Sequence, residues 1–263
     1  MPELPDVEVY KRRVARTALN KPIAHVHVGD EQILEQGTSR QALAANLTGN
    51  TLTHTRRRGK YLGADTSDDR CLVLHFGMTG KIESLAPDEP PPRVAYFQIE
   101  FDDGRRMAFL NQRKLGRVSI DDSFERFVER KRLGPDALDL SPDRLHDILD
   151  EHPSGMKSLL MNQQALAGVG NVYSDEILFQ AGISPKRRSR DLSSKDRAAL
   201  HRKLQHVLQH AIEAHARPRE MPGSWLLSRR YDDADDCPSC NGPIQRETIA
   251  GRTAHWCPNC QRC

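Results

Sequence analysis

Apolar and β-branched residues in the first 120 positions gather in short runs separated by turn-forming residues, the pattern of strands in an all-β unit. The runs predict strands over Ile23 to Val28, Tyr61 to Asp65, Cys71 to Phe76, Val94 to Phe101, Met107 to Leu110 and Arg117 to Ile120. Asp102-Asp103-Gly104 between two of them reads as a hairpin turn, and Glu89-Pro90-Pro91-Pro92 as a loop. A helix is expected before them, from about Pro5 to Ala18. The pattern changes near residue 122 and becomes helical. Leu200, Leu204, Val207, Leu208 and Ala211 form one apolar stripe, and Ser193 with Asp196 three residues on reads as a capping box for that helix. Leu133-Gly134-Pro135-Asp136-Ala137 reads as a hinge. These elements predict an α+β chain with a β-sandwich first and helices after it.

The 263 residues suffice for two ordinary domains. No apolar run approaches the ~20 residues needed to span a bilayer, and the start is not that of a signal peptide. A cytoplasmic location is therefore expected, with no membrane partner. The net charge of +3 is a poor argument for a polyanionic partner. The distribution of charge is a better one. Basic clusters stand at Arg56-Arg57-Arg58-Gly59-Lys60, at Lys186 to Arg190, at Arg229-Arg230, and at Arg246, Arg252 and Arg262. Each alone is an ordinary solvated face; together they favour nucleic acid.

The chain opens Met1-Pro2-Glu3-Leu4-Pro5-Asp6-Val7-Glu8. Removal of Met1 would leave Pro2 as a secondary amine that titrates near pH ~8, roughly two units below a lysine. Such an amine attacks an aldehyde-level carbon to give an iminium, which is an electron sink. Glu3 would stand beside it as a proton carrier. The plainer reading is that Pro2 and Pro5 simply start a helix.

Cys237-Pro-Ser-Cys240 and Cys257-Pro-Asn-Cys260 are two CxxC pairs separated by sixteen residues. That is the ligand spacing of one tetrahedral structural Zn2+. Cys263 and His255 lie close enough in sequence to compete as ligands, whereas Cys71 sits alone in an apolar run and reads as core. The stretch from Leu166 through Gly168-Val169-Gly170-Asn171 to Ala181 reads as helix, Gly-rich turn, helix. The amides at that turn, Gly170 included, and the Asn171 side chain could meet a phosphate. A plain helix hairpin would carry the same sequence.

Several motifs together resemble the formamidopyrimidine-DNA glycosylase/endonuclease VIII family along the whole chain. They are PELPDVE at 2 to 8, RRGKYL at 57 to 62, HFGMTG at 75 to 80, NQRKLG at 111 to 116, LGPDAL at 133 to 138, GVGNVYSDEILFQAGISP at 168 to 185, and the cysteine ribbon. The PELP start and the HxGMxG motif lean toward the formamidopyrimidine branch. The resemblance implies a catalytic β-sandwich at 1–122, a hinge at 123–140, a helix-two-turn-helix domain at 141–230 and a zinc-ribbon β-hairpin at 231–263. It implies a monomeric bifunctional glycosylase and AP lyase of base excision repair, acting on double-stranded DNA with a damaged base or an abasic site.

In that reading Pro2 attacks C1′ of a flipped nucleotide and Glu3 moves protons. Lys60 and Arg252 assist catalysis at phosphate, and Asn171 and Lys157 contact the DNA backbone. Met78, Arg113 and Leu115 fill the void left by the flipped base. Leu115 stands where many relatives carry phenylalanine, and Asp6 replaces the usual glutamate. His152 stands at a position often held by a DNA-contacting lysine, and Arg93 to Tyr96 lacks the His-Asp-His of many relatives. Pro218 to Asp236 lacks the usual loop over 8-oxoguanine. These departures weaken the transfer of purine specificity. Other readings are an endonuclease VIII-like enzyme for oxidised pyrimidines and hydantoins, a non-catalytic zinc-ribbon DNA-binding protein, and a ribosomal or topoisomerase-like protein sharing only the helix-two-turn-helix.

Overall fold

The computed structural model describes residues 1–232 and 235–262. It forms two compact units. One comprises Met1–Pro2 and Asp6–Arg132; the other comprises Glu3–Pro5 and the chain from Leu133 on.

The first unit takes most of helix α1 (Leu4–Thr17), then β1 (Ile23–Val28), α2 (Arg40–Leu47), β2 (Leu52–Arg58), β3 (Tyr61–Thr66), β4 (Cys71–His75), β5 (Gly80–Leu85), β6 (Ala95–Phe101), β7 (Arg106–Asn111), β8 (Arg117–Asp121) and α3 (Phe124–Arg130). The strands make two four-stranded antiparallel sheets, in the orders β1-β6-β7-β5 and β2-β3-β4-β8. Alternation decides which side chains face inward. In β6, Ala95, Phe97, Ile99 and Phe101 are buried and the residues between them are not. Leu62, Leu72 and Leu74 of one sheet share a core cluster with Phe97, Ile99 and Phe109 of the other. This is the expected β-sandwich with a leading helix.

The apolar run in β4 is continuous because both its faces are covered. Leu72 and Leu74 face the sandwich core, while Cys71 and Val73 pack with Phe124 and Phe127 of α3. Cys71 is thus core, as its surroundings in the sequence predicted.

Two strands escaped the sequence pattern. In β2 only Leu52 and Thr55 are buried, among Thr53, His54 and the three arginines. The polar face of an edge strand carries no apolar signal. In β5, Gly80, Ile82 and Leu85 are buried, and the exposed Ser84 breaks the alternation.

The second unit contains α4 (Pro142–Glu151), α5 (Met156–Met161), α6 (Asn171–Ala181), α7 (Ser194–Glu213), α8 (Leu226–Asp232) and a hairpin of β9 (Gln245–Ile249) and β10 (Arg252–Trp256). The predicted α7 stripe is buried throughout, and both hydrogen bonds of the Ser193–Asp196 capping box form. Helix α6 begins at Asn171, directly after the glycine-rich turn, with Gly170 as its cap. It is buried from Tyr173 to Phe179, so it shows no amphipathic stripe. Among the described residues no helix is long and apolar enough to cross a membrane.

Candidate active site

The Glu3 carboxylate lies in the second unit, 1% exposed. It accepts from the backbone N–H groups of Gly170 at 2.6 Å, Val172 at 2.8 Å and Tyr173 at 3.3 Å. The first turn of a helix has no intrahelical partners for its amides, and its positive dipole end suits an anion. The anion there is Glu3. This corrects the expectation that the Gly170 turn offers its amides to a phosphate: the Gly170 N–H serves Glu3.

The turn is shaped for the purpose. Gly168 has φ +119°, and a Cβ there would come within 2.5 Å of Leu4 Cδ1. Its carbonyl accepts the Leu4 N–H at 3.1 Å. Gln163 clamps the turn from inside, accepting from Gly168 N–H at 3.0 Å and donating to Val169 O at 2.8 Å.

Lys157 requires a second correction. Its side chain is fully buried. The ammonium donates to Asn171 O at 3.2 Å, to Ser174 Oγ at 3.2 Å and to Asp175 Oδ1. An ammonium has three N–H groups, and all three are taken inside the unit, so Lys157 cannot be a phosphate contact. Burial pushes the Lys157 ammonium down and the Asp175 carboxyl up; their ion pair opposes both shifts. Asp175 also accepts from Arg230 Nη1 at 2.8 Å and from His255 N–H at 3.0 Å. Burial raises the neighbouring Glu176 to about 7, and it accepts the Leu227 N–H at 2.7 Å.

Arg252 is exposed at the start of β10. It pairs with Ile249 across a two-residue turn, Ala250-Gly251, with φ of 51° and 71°. Two positive values define the tight hairpin turn that favours glycine. The Asn171 Nδ2 donates to Thr253 O at 3.2 Å.

The four predicted cysteines converge. Their Sγ atoms lie within 4.8 Å of one another, with Cys237 to Cys260 at 3.8 Å and Cys240 to Cys257 at 3.6 Å. A tetrahedron with metal–sulfur distances of ~2.3 Å has edges of about 3.8 Å. The set can therefore hold a metal ion. Backbone N–H groups of Ser239 and Gly242 point at Cys237 and Cys240 sulfurs, each at 3.4 Å. His255 is not among the clustered ligands; its Nδ1 lies 2.9 Å from Arg230. Cys263 lies outside the described residues.

In the first unit, Lys60 occupies the two-residue connection between β2 and β3, whose last pair is Arg58 with Tyr61. Burial, then the Lys60 charge, pushes the nearby His75 down to about 4, so this imidazole is neutral at working pH. The adjacent arginines are held internally. Arg56 pairs with Asp65 at 2.6 Å and Glu125 at 2.9 Å, and buried Arg57 pairs with Glu8 at 3.0 Å. Two arginines of that cluster are thus engaged within the unit.

Met78 and Leu115 are 41% and 43% exposed, unusual for large apolar side chains. Arg113 is exposed between their loops, and its N–H donates to Thr79 Oγ1 at 3.1 Å. One residue that sequence reading passed over organises both loops. Asn111, fully buried, donates from Nδ2 to Phe76 O at 3.1 Å and accepts the Leu115 N–H at 3.1 Å. Its place in the NQRKLG motif was the available signal. Asp175 and Glu176 also escaped notice, although three consecutive polar residues, Ser174 to Glu176, lie in the part of the helix that is buried.

The comparisons agree with this geometry. Residues 1–118 match the formamidopyrimidine-DNA glycosylase N-terminal domain and 133–220 its H2TH domain. The formamidopyrimidine-DNA glycosylase of Carboxydothermus hydrogenoformans is 32% identical, covering all of both chains. That of Bacillus licheniformis is 30% identical over the same extent. The Lactococcus lactis enzyme bound to DNA containing N7-benzyl-Fapy-dG superposes with TM-score 0.87 at 27% identity, covering 99% of this chain and 100% of that one. The chain belongs to the formamidopyrimidine-DNA glycosylase family. It is a DNA glycosylase of base excision repair, and AP lyase activity is part of that family's function.

The Asn111 network yields a prediction. Asn111→Ala leaves the Leu115 amide without its partner and the Phe76 carbonyl with the Gly80 N–H alone, a loss of about 1–3 kcal/mol. The denaturant midpoint should fall, and affinity for a lesion duplex should drop while metal content stays constant. Unchanged affinity would show that Asn111 does not order the two loops.

Proposed function

We propose that Pro2 is the nucleophile once Met1 is removed. With Met1 attached its nitrogen is an amide and cannot react. The freed amine attacks C1′ of a nucleotide flipped out of the duplex, the damaged base departs, and an iminium links enzyme and sugar. The iminium acidifies the C2′–H bond. Loss of that proton expels the 3′-phosphate by β-elimination, and a second elimination expels the 5′-phosphate.

The observation that carries this reading is the Glu3 carboxylate. It is buried and held by three amides one peptide bond from Pro2, which fixes the place of the group that moves protons on and off the sugar. Lys60 and Arg252 meet the phosphates beside the lesion, and Asn171 adds a donor there. Met78 and Leu115 wedge into the space the base leaves, and Arg113 hydrogen-bonds the orphaned partner. The metal is one structural Zn2+ held by Cys237, Cys240, Cys257 and Cys260, and it takes no part in the chemistry. The substrate is duplex DNA carrying an oxidised or ring-opened purine or an abasic site. The enzyme works as a monomer where the DNA is, in the cytoplasm or nucleoid.

Borohydride should trap the protein on DNA holding an abasic site, because reduction turns the iminium into a stable amine. The cross-link should map to Pro2, and Glu3→Gln should lose base excision far more than duplex affinity. A cross-link on Lys60 would displace Pro2 as nucleophile.

Chelation should remove one zinc per chain and abolish duplex binding, since a small ribbon has little core of its own and this one carries Arg252. Cys263→Ser should keep its zinc; loss of metal there would move the ligand set.

The lesion preference rests on the pocket. The stretch after Pro218 is packed down into α8, with Trp225 just before that helix and Leu226 and Leu227 in its first turn buried, and Leu227 tied to Glu176. It is poorly suited to fold over a stacked purine. Ring-opened purines, being cheap to flip, should be excised faster than 8-oxoguanine in single-turnover assays. Equal rates would refute that role for α8, and fastest cleavage of thymine glycol would place the activity with endonuclease VIII.

A further inference from the structure

Helix α6 and strand β10 meet through two matched contacts. Asn171 and Asp175 are four residues apart on α6, on one face, a rise of about 6 Å. Thr253 and His255 are two apart on β10, about 6.6–6.8 Å along the strand. The two spacings nearly coincide, and the contacts fall in register. Asn171 donates to Thr253 O at 3.2 Å, and His255 N–H donates to Asp175 Oδ2 at 3.0 Å. The two are unequal. Asn171 is half-buried, and its Oδ1 has no partner among the described residues. Asp175 is 3% exposed and gathers Lys157 from α5, Arg230 from α8 and the His255 amide from β10.

We propose that Asp175 is a positioning residue for strand scission. Its carboxylate fixes β10, which begins with Arg252, against the helix whose first turn holds Glu3. The proposal rests on the reading of Arg252 as a group that assists elimination. Lys157 belongs to the same device. Its ammonium joins Asp175 to the carbonyl of Asn171, the residue between the amides of Gly170 and Val172 that Glu3 accepts. A single buried ion pair therefore spans from the Glu3 cradle to the Arg252 strand.

Truncating Asp175 alone would strand a buried ammonium. Lys157→Met/Asp175→Leu instead replaces both buried charges by apolar side chains of similar size, a change buried pairs often tolerate, and releases the partly exposed Arg230 and the His255 N–H. Metal content and the thermal midpoint establish that this variant is folded. Scission of a duplex with a preformed abasic site should slow on the order of tenfold, the scale of a small misplacement of a reacting group. The loss should appear in kcat with little change in KM. In an Arg252→Ala background the same pair of substitutions should cost nothing further, because the group they misplace is gone. A merely structural role would slow scission equally in both backgrounds and overturn the proposal, as would a wild-type rate in the folded variant. A wild-type rate in Arg252→Ala alone would overturn the reading of Arg252 and the proposal with it. Should the apolar pair fail to fold, Lys157→Met/Asp175→Asn also removes both charges, keeps an acceptor for the His255 N–H and carries the same cycle with a smaller loss.

Discussion

The Glu3 carboxylate in the first turn of α6 is the contact on which the site of the second unit is built. Chain termini normally fray unless something ties them down. Here the tie is threefold at one side chain, with Gly170, Val172 and Tyr173 all donating to it. Leu4 adds a backbone hydrogen bond to Gly168 and a fully buried side chain in the helical core. Pro2 is joined to this anchored carboxylate by one peptide bond. A flexible start could not hold in place the proton carrier proposed for Glu3.

That arrangement places demands on α6. The helix is buried on every side, so it has no wet face on which to put polar residues. It nevertheless carries Ser174, Asp175 and Glu176. Buried polar groups without partners are costly, and each of these has partners drawn from elsewhere in the unit: Lys157 for Ser174 and Asp175, Arg230 and the His255 amide for Asp175, Gln180 and the Leu227 amide for Glu176. A buried ion pair contributes little net stability but is strongly destabilising when half of it is lost. Such a network locks one arrangement of α5, α6, α8 and β10 rather than merely strengthening it.

The sandwich solves a different problem. Its loop ends must present apolar side chains to solvent without collapsing onto the protein. Asn111 accomplishes this from below, by satisfying a carbonyl of one loop and an amide of the other. Met78 and Leu115 are exposed on the two loops that Asn111 ties together.

Much of this was legible in the chain. Six strands, the α7 stripe, the capping box and the four cysteines follow from spacing and periodicity, which are local properties that each segment carries with it. The residue types at Pro2 and Glu3 were legible for the same reason, since a secondary α-amine and a carboxyl group belong to the residues themselves. What stayed hidden depended on partners far away in sequence. The polar edge strand β2 has no apolar pattern and exists because β3 pairs with it. Lys157 looked like a cation for DNA, yet its three donors close on groups fourteen to eighteen residues on. The Gly170 amide looked open to phosphate until Glu3, 167 residues away, was found to occupy it. The sequence by itself determined the chemical inventory and the local elements. Which donor meets which acceptor was decided only in the tertiary structure, because a hydrogen bond needs two groups within ~3 Å, and only folding brings such distant groups together.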